Sequence, residues 1–337
     1  LVSVKGALLR RRWHRLRARL RALAAGRLRV GSTAYRRRLQ EEIRHYEGLL
    51  PEAAAAPLME PAPPVWEELQ RRAAGLIQDQ TGMDLIGNVA ARLNERVGAR
   101  MVSLGSGAGG LEMAVARQSP GAQILCLDIN PAALERGRRA AAAEGLALTF
   151  EEADLNRVEL EPAAFDVVFC HASLHHVLEL ERLLGAIARA LRPGGALIAV
   201  DVITRNGYRM WPDTKRVAAA IFATLPERYR LNHTAYLPEK RVDASIWDGD
   251  TRSAGMECLR SEAVLPLLQH YFETVWFVPY FSLCRRFFDT MYGPNYDLAR
   301  PLDCAILEWI WQLDCHLLAT GRLRPETFFG VFRNRGG

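Results

Sequence analysis

Between residues 99 and 203, short apolar runs alternate with amphipathic segments, and this alternation is the strongest pattern in the chain. The β-rich runs are ARMVSLGS (99–106), QILCLDI (123–129), LTFEEAD (148–154), FDVVFCHA (165–172) and GALIAVDVI (195–203). LEMAVARQ, PAALERGRRAAAAE and LELERLLGAIARAL lie between them with helical periodicity. Nearly continuous apolar strands separated by helices predict a parallel sheet covered on both faces. Right-handed crossovers then bring the C-terminal ends of the strands to one edge, where ligands bind in α/β sheets.

The flanks read differently. Residues 1–64 form a basic helical extension and linker, with Leu9, Trp13, Leu16, Leu20 and Leu23 on one stripe under arginines. A second basic cluster, Tyr35 to Leu39, precedes the helical QEEIRHYEGLL, and PEAAAAPLMEPAPP (51–64) reads as the linker. Residues 65–98 are a helical lead-in, 99–203 the sheet core, and 204–337 a cap followed by the last strands and a helical insertion. In that last region VAAAIFATL (217–225) predicts a helix, while TVWFVPY (274–280) and TFFGVFR (327–333) predict strands. In LDCAILEWIWQLDCHLLA the stripe Leu302, Ile306, Trp309, Leu313 and Leu317 is expected to face the core. No internal repeat is present.

Charge changes this picture at one end only. Fourteen Lys/Arg against Glu41 and Glu42 give residues 1–44 a balance of +12, so the net +6 leaves −6 for residues 45–337. The extension therefore needs an anionic surface: the acidic body, a second subunit in a homodimer, or a membrane. Packing within the protein or its dimer is the preferred reading. Nucleic acid is the least favoured, because no RNA-binding module accompanies the arginines. No apolar run reaches membrane-spanning length and no secretory leader is recognised. Six scattered cysteines without a C-x-x-C pair suit neither a disulfide framework nor a zinc motif. A cytoplasmic protein, with the basic helix allowing peripheral membrane contact, is expected.

The chemistry concentrates at the strand ends. In VSLGSGAGG, Gly105 and Gly107 follow a strand and precede a helix, which permits a sharp turn and close approach of backbone N–H groups to a ligand. Asp128 closes the second strand where an acid can accept from both hydroxyls of a ribose. These two features alone fit a dinucleotide-binding fold equally well. Asp154 in EEADLN, then FDVVFCHASLHHV, then LRPGG, complete an ordered set over roughly 99–203 that resembles class I S-adenosylmethionine-dependent methyltransferases. The resemblance is to the small-molecule group with an LHH segment after strand four.

That resemblance implies an α/β fold, a doubly wound, mostly parallel seven-stranded sheet, with S-adenosyl-L-methionine as cofactor and S-adenosyl-L-homocysteine as product. It implies that Gly105, Ser106 and Gly107 pass beneath the methionine moiety, Asp128 binds the ribose and Ile129 flanks the adenine. Asp154 would accept from the adenine amino group with Leu155 on the ring, and Cys170 and His171 would offer backbone oxygens to the ammonium. Ser103 departs from the acid that many relatives carry before the glycines.

Methyl transfer is an in-line displacement, so aligning the acceptor is the main task. A hydroxyl acceptor must also lose a proton, for which a neutral histidine is suited. His176 is the first candidate base, His175 the second, and His233 of the cap the third. Tyr208, Arg209 and Trp211 are expected to line the acceptor site. A metal site built from these histidines with Asp201 is conceivable, but no ligand motif supports it. The expected reaction is methyl transfer to O or N of a small or medium metabolite, such as a natural product, a sugar or a lipid-linked intermediate. The competing classes are an NAD-dependent oxidoreductase and an RNA-modifying methyltransferase.

Overall fold

The computed structural model describes residues 28–47, 62–234, 240–253 and 255–334. The stripe from Leu9 to Leu23 and most of the Pro/Ala linker lie outside these residues. Three helices come first: α1 (Thr33–Glu47), α2 (Pro64–Thr81) and α3 (Leu85–Asn94). Asp84 caps α3 by accepting from Gly87 N at 2.7 Å, which satisfies one of the free N–H groups of the first turn. The core then alternates β1 (Arg100–Leu104), α4 (Gly110–Gln118), β2 (Gln123–Asp128), α5 (Pro131–Ala143), β3 (Leu148–Glu152), β4 (Phe165–His171), α6 (Leu180–Ala190) and β5 (Leu191–Val202). The cap carries α7 (Pro212–Thr224), a small ribbon of β6 (Leu231–Asn232) and β7 (Arg241–Val242), and α8 (Ser261–Tyr271). Last come β8 (Phe272–Tyr280), α9 (Cys284–Phe288), α10 (Pro301–Ala319) and β9 (Thr327–Asn334).

The seven-stranded sheet has the order β3-β2-β1-β4-β5-β9-β8. The first five strands pair in parallel, and β9 lies antiparallel between β5 and β8. Alternation along each strand divides the interior in two. Met101, Val167, Phe169 and Ile198 face α2 to α5 and the C-terminal helices, whereas Val102, Val168, Leu197 and Ala199 face α6 and α8. Each face is covered, which is why the strands are apolar on both sides. A third, smaller cluster joins Tyr35 and Leu39 of α1 to Met256 and Leu259 of the cap.

Two expectations need correcting. The fifth strand does not start at 195: β5 begins at Leu191, pairing with Phe165, and a bulge between Phe165 and Val167 absorbs the extra residues. The predicted core stripe of α10 divides: Leu302 and Trp309 are 58% and 54% exposed, whereas Ile306, Leu313 and Leu317 are partly buried against the core. The buried face is Asp303, Leu307, Ile310 and Asp314. Because α10 is apolar nearly all round, periodicity alone does not select its face; the two aspartates do. Asp314 accepts from the backbone N–H of Ser282 and Cys284 at 3.0 and 2.9 Å, and Asp303 accepts from the Tyr229 hydroxyl at 2.5 Å.

Candidate functional site

The glycine loop turns at the end of β1. Gly105 N and Ser106 N both donate to Leu127 O, at 2.7 and 3.1 Å, which pins the loop to β2. Gly105 has φ 77°, and a Cβ there would stand 2.5 Å from the Ser173 side chain, so only glycine fits. Gly107, at φ 55°, has nothing within 4 Å of where its Cβ would be. Its N–H donates to Asp128 Oδ2 at 2.7 Å, while Asn130 N donates to Oδ1 at 2.9 Å. The Asp128 carboxylate thus ties the loop to the strand-two end, and each oxygen keeps a lone pair for a further donor. Burial raises its pKa, against the pull of these N–H groups. Ile129 beside it is half-buried.

Beneath the loop, buried Ser103 donates to Glu112 of α4 at 2.5 Å. An acid is therefore present under the glycines after all, supplied by α4 and not by β1. Burial first, and the Asp128 charge besides, push the Glu112 carboxyl up to about 7.

After β3, Asp154 Oδ1 accepts from the Tyr35 hydroxyl at 2.7 Å and from Asn156 N at 2.9 Å. Asn156 donates to the same hydroxyl at 2.9 Å and accepts from Leu178 N and Glu179 N through its carbonyl. Helix α1 is thereby latched over the strand-three end. Leu155 lies against the glycine loop, its Cδ1 3.7 Å from the Cβ position of Gly105.

At the end of β4, Cys170 is fully buried, and burial lowers the pKa of the next residue, His171. Buried Asp201 of β5 gathers the turn that follows: its Oδ2 accepts from Ser173 N and Leu174 N at 3.0 and 2.7 Å. Its Oδ1 stands 2.6 Å from His175 Nδ1. His175 Nε2 and His176 Nε2 each lie 3.6 Å from one oxygen of Glu257, on the loop before α8. On its other side His176 Nδ1 is 2.6 Å from Glu42 of α1, close but not aligned as a hydrogen bond. Glu42 is itself held by Met256 N at 2.8 Å, and Tyr46 brings its hydroxyl to 3.4 Å from His176 Nε2. Burial would lower the His175 pKa, but Asp201 and Glu257 together push it up to about 10. The two histidines hold the Glu257 carboxyl well below its ordinary range despite its burial.

The cap residues divide. The Tyr208 hydroxyl accepts from Arg285 Nε at 2.7 Å, and Gly207 N donates to Cys258 O, joining this turn to the Glu257 loop. Arg209 donates to Asn206 O and lies 4.0 Å from Asp250. Trp211 donates to Ile203 O at 3.3 Å, with the Arg324 guanidinium 4.6 Å from its ring centre. His233 bonds Asn295 at 2.7 Å and has no recorded contact with the strand-four histidines among the described residues.

The edge therefore brings together Gly105, Gly107, Asp128, Asp154, Leu155, His171, His175 and His176, and Tyr208 joins through the 251–258 loop. Tyr35, Glu42, Tyr46 and Glu257 were not foreseen. Glu257 lies in an aperiodic stretch that carries no signal. The α1 residues had a weak one, since Tyr35 and Leu39 share a helical face with Glu42 and Tyr46.

Residues 102–199 match the family described as "Methyltransferase domain". The chain is 33% identical over 107 residues to the demethylmenaquinone methyltransferase of Thermus thermophilus, covering 32% of this chain and 49% of that protein. It is 33% identical over 110 residues to a ubiquinone biosynthesis O-methyltransferase of Xylella fastidiosa, covering 32% and 44%. The chain thus spans about half the length of the curated relatives it matches. Among solved structures, an S-adenosylmethionine dependent methyltransferase from Mesorhizobium loti is 20% identical, covering 73% of this chain and 96% of that one, with a TM-score of 0.42.

Proposed function

We propose that this chain, whose residues 102–199 form a class I methyltransferase domain, transfers the methyl group of S-adenosyl-L-methionine to an oxygen or nitrogen of a small metabolite. The observation that carries the reading is the convergence of the glycine loop, Asp128 and Asp154 on the edge that also holds the histidine turn. The residues fit the cofactor. Space is open at Gly107, Asp128 keeps lone pairs for two ribose hydroxyls, and Asp154 Oδ2 takes no part in the Tyr35 and Asn156 hydrogen bonds. The bound cofactor would supply an electrophilic methyl on a sulfonium.

What remains for the protein is alignment and a proton. Tyr208, with Arg285 behind its hydroxyl, and Glu257 beside the histidines would orient the acceptor. His176 is the better placed proton acceptor, because the ring of His175 is committed to Asp201 and is wholly buried. Helix α1 covers the same edge and would exclude water. One relative is named as an O-methyltransferase, which supports an oxygen acceptor, and another as a demethylmenaquinone methyltransferase, which supports a quinone-like molecule.

Calorimetry with S-adenosyl-L-homocysteine tests the reading. Asp128→Asn leaves one acceptor oxygen where two hydroxyls need one each. It should weaken binding by about 1.5–3 kcal/mol, roughly ten- to a hundredfold. Undetectable binding of S-adenosyl-L-homocysteine together with good binding of NAD would overturn it.

A further inference from the structure

We infer that His175, His176 and Glu257 form a binding site for a divalent first-row transition cation, closed on one side by protein and open to one oxygen ligand. Within this group, ligand atoms from the three side chains all lie within 4.8 Å of one another. Both imidazole Nε2 atoms face the same carboxylate, each 3.6 Å from a different oxygen. That distance is too long for a hydrogen bond, which needs about 2.7–3.2 Å. It is close to the edge of a tetrahedral site: two ligands about 2.1 Å from one ion stand about 3.4 Å apart.

The outer groups fit the same reading. A metal-bound histidine hands its other ring nitrogen to a carboxylate, and here each Nδ1 has a carboxylate beside it, hydrogen-bonded in the case of His175. His175 Nδ1 meets Asp201 at 2.6 Å, and His176 Nδ1 meets Glu42 at 2.6 Å. With an ion bound, each ring would keep its proton on Nδ1 and offer its Nε2 lone pair on the side that faces Glu257. Charge points the same way, because three carboxylates surround two imidazoles in a place where burial penalises unbalanced charge. Two imidazoles and one carboxylate suit zinc, iron(II), cobalt or manganese better than magnesium or calcium. Three protein ligands leave a position for water or for the acceptor's oxygen, as catalytic sites do. The second possibility rests on the methyl-transfer reading, and there the ion would take over the proton-removing task given to His176 by favouring the ionised hydroxyl.

The test uses the full chain, stripped with a chelator and dialysed, then titrated with Zn(II) by calorimetry and with Co(II) by visible absorption. We expect saturation at one ion per chain, with Co(II) d–d bands of a low-coordinate site. Glu257→Gln and His176→Gln should weaken uptake by more than about tenfold, and Asp201→Asn by ten- to a hundredfold. Circular dichroism checks that the variants fold. Pulsed EPR of the unmutated chain loaded with Cu(II) counts imidazole nitrogens without any substitution, and two are expected. Absence of saturable uptake, a nitrogen count of zero, or uptake unchanged in folded Glu257→Gln would overturn the inference. All these readouts are taken without cofactor, so their failure leaves the S-adenosyl-L-homocysteine test standing, and the reverse holds too.

Discussion

Replacing Glu112 by glutamine should make the protein more stable at alkaline pH and leave it nearly unchanged in acid. Glu112 is 2% exposed, and its ordinary pKa of 4.5 is pushed up to about 7, chiefly by burial. Below the lower value the carboxyl is protonated in both folded and unfolded chains. Between the two, the unfolded chain gives up the proton and the folded chain keeps it, so stability falls as pH rises through this window and levels off above about 7. At about 1.4 kcal/mol per pH unit the whole window is worth about 3 kcal/mol. Glutamine keeps the acceptor oxygen for Ser103 and cannot ionise. Urea unfolding of both proteins at pH 5 and pH 8 should show the advantage of Glu112→Gln growing by about 2–3 kcal/mol between them. The difference between the two proteins cancels the titration of groups that Glu112 does not influence. An equal difference at both pH values would refute the reasoning, because the substitution would then be acting through packing alone.

Tyr35→Phe removes a hydroxyl that donates to Asp154 and accepts from Asn156, and should cost about 1–3 kcal/mol in urea unfolding; a loss below about 0.5 would mean α1 is not latched there. Leu307→Ala should cost about 2–5 kcal/mol, whereas Leu302→Ala, on the exposed face of the same helix, should stay within about 0.5. Equal losses would return the core-facing role to the other stripe. Arg286→Met leaves Glu326 buried without the guanidinium that donates to it at 2.7 Å, and should cost about 3–5 kcal/mol by thermal or urea unfolding; a neutral result would mean that Glu326 is content protonated.

The sheet was legible because burial on both faces imposes a pattern that few other structures share. Each strand predicted between Arg100 and Val202, and the two later ones, has its counterpart. The glycine loop was legible for a related reason: Gly105 and Gly107 sit at positive φ, so the backbone itself dictates the residue. The face of α10 was legible only in part, since Leu302 and Leu307 are equally apolar and the choice between them lies with Asp303 and Asp314. The carboxylates around the histidine turn were hidden in part by distance along the chain. Asp201 could be placed beside the histidines because it ends the strand next to theirs, but Glu42 and Glu257 come from elements far apart in sequence, and nothing local in either records that they meet. Ser103 looked like a missing acid until α4 brought Glu112 beneath it.

The position of β9 has a consequence for synthesis on the ribosome. This strand is last in chain order among the described residues, yet it lies inside the sheet, bonded to β5 along one side and to β8 along the other. From Tyr280 to Thr327 the ribosome adds 46 intervening residues, which at about 5–20 residues per second takes roughly 2–10 s. Throughout that interval β8 has been made with nothing to pair with, and β5 lacks its neighbour along an edge rich in Leu, Ile, Ala and Val. Such an edge is a template for pairing with another chain. The nascent protein is therefore most exposed to aggregation just before its sheet closes, and this is where a holding chaperone would have the greatest effect on yield.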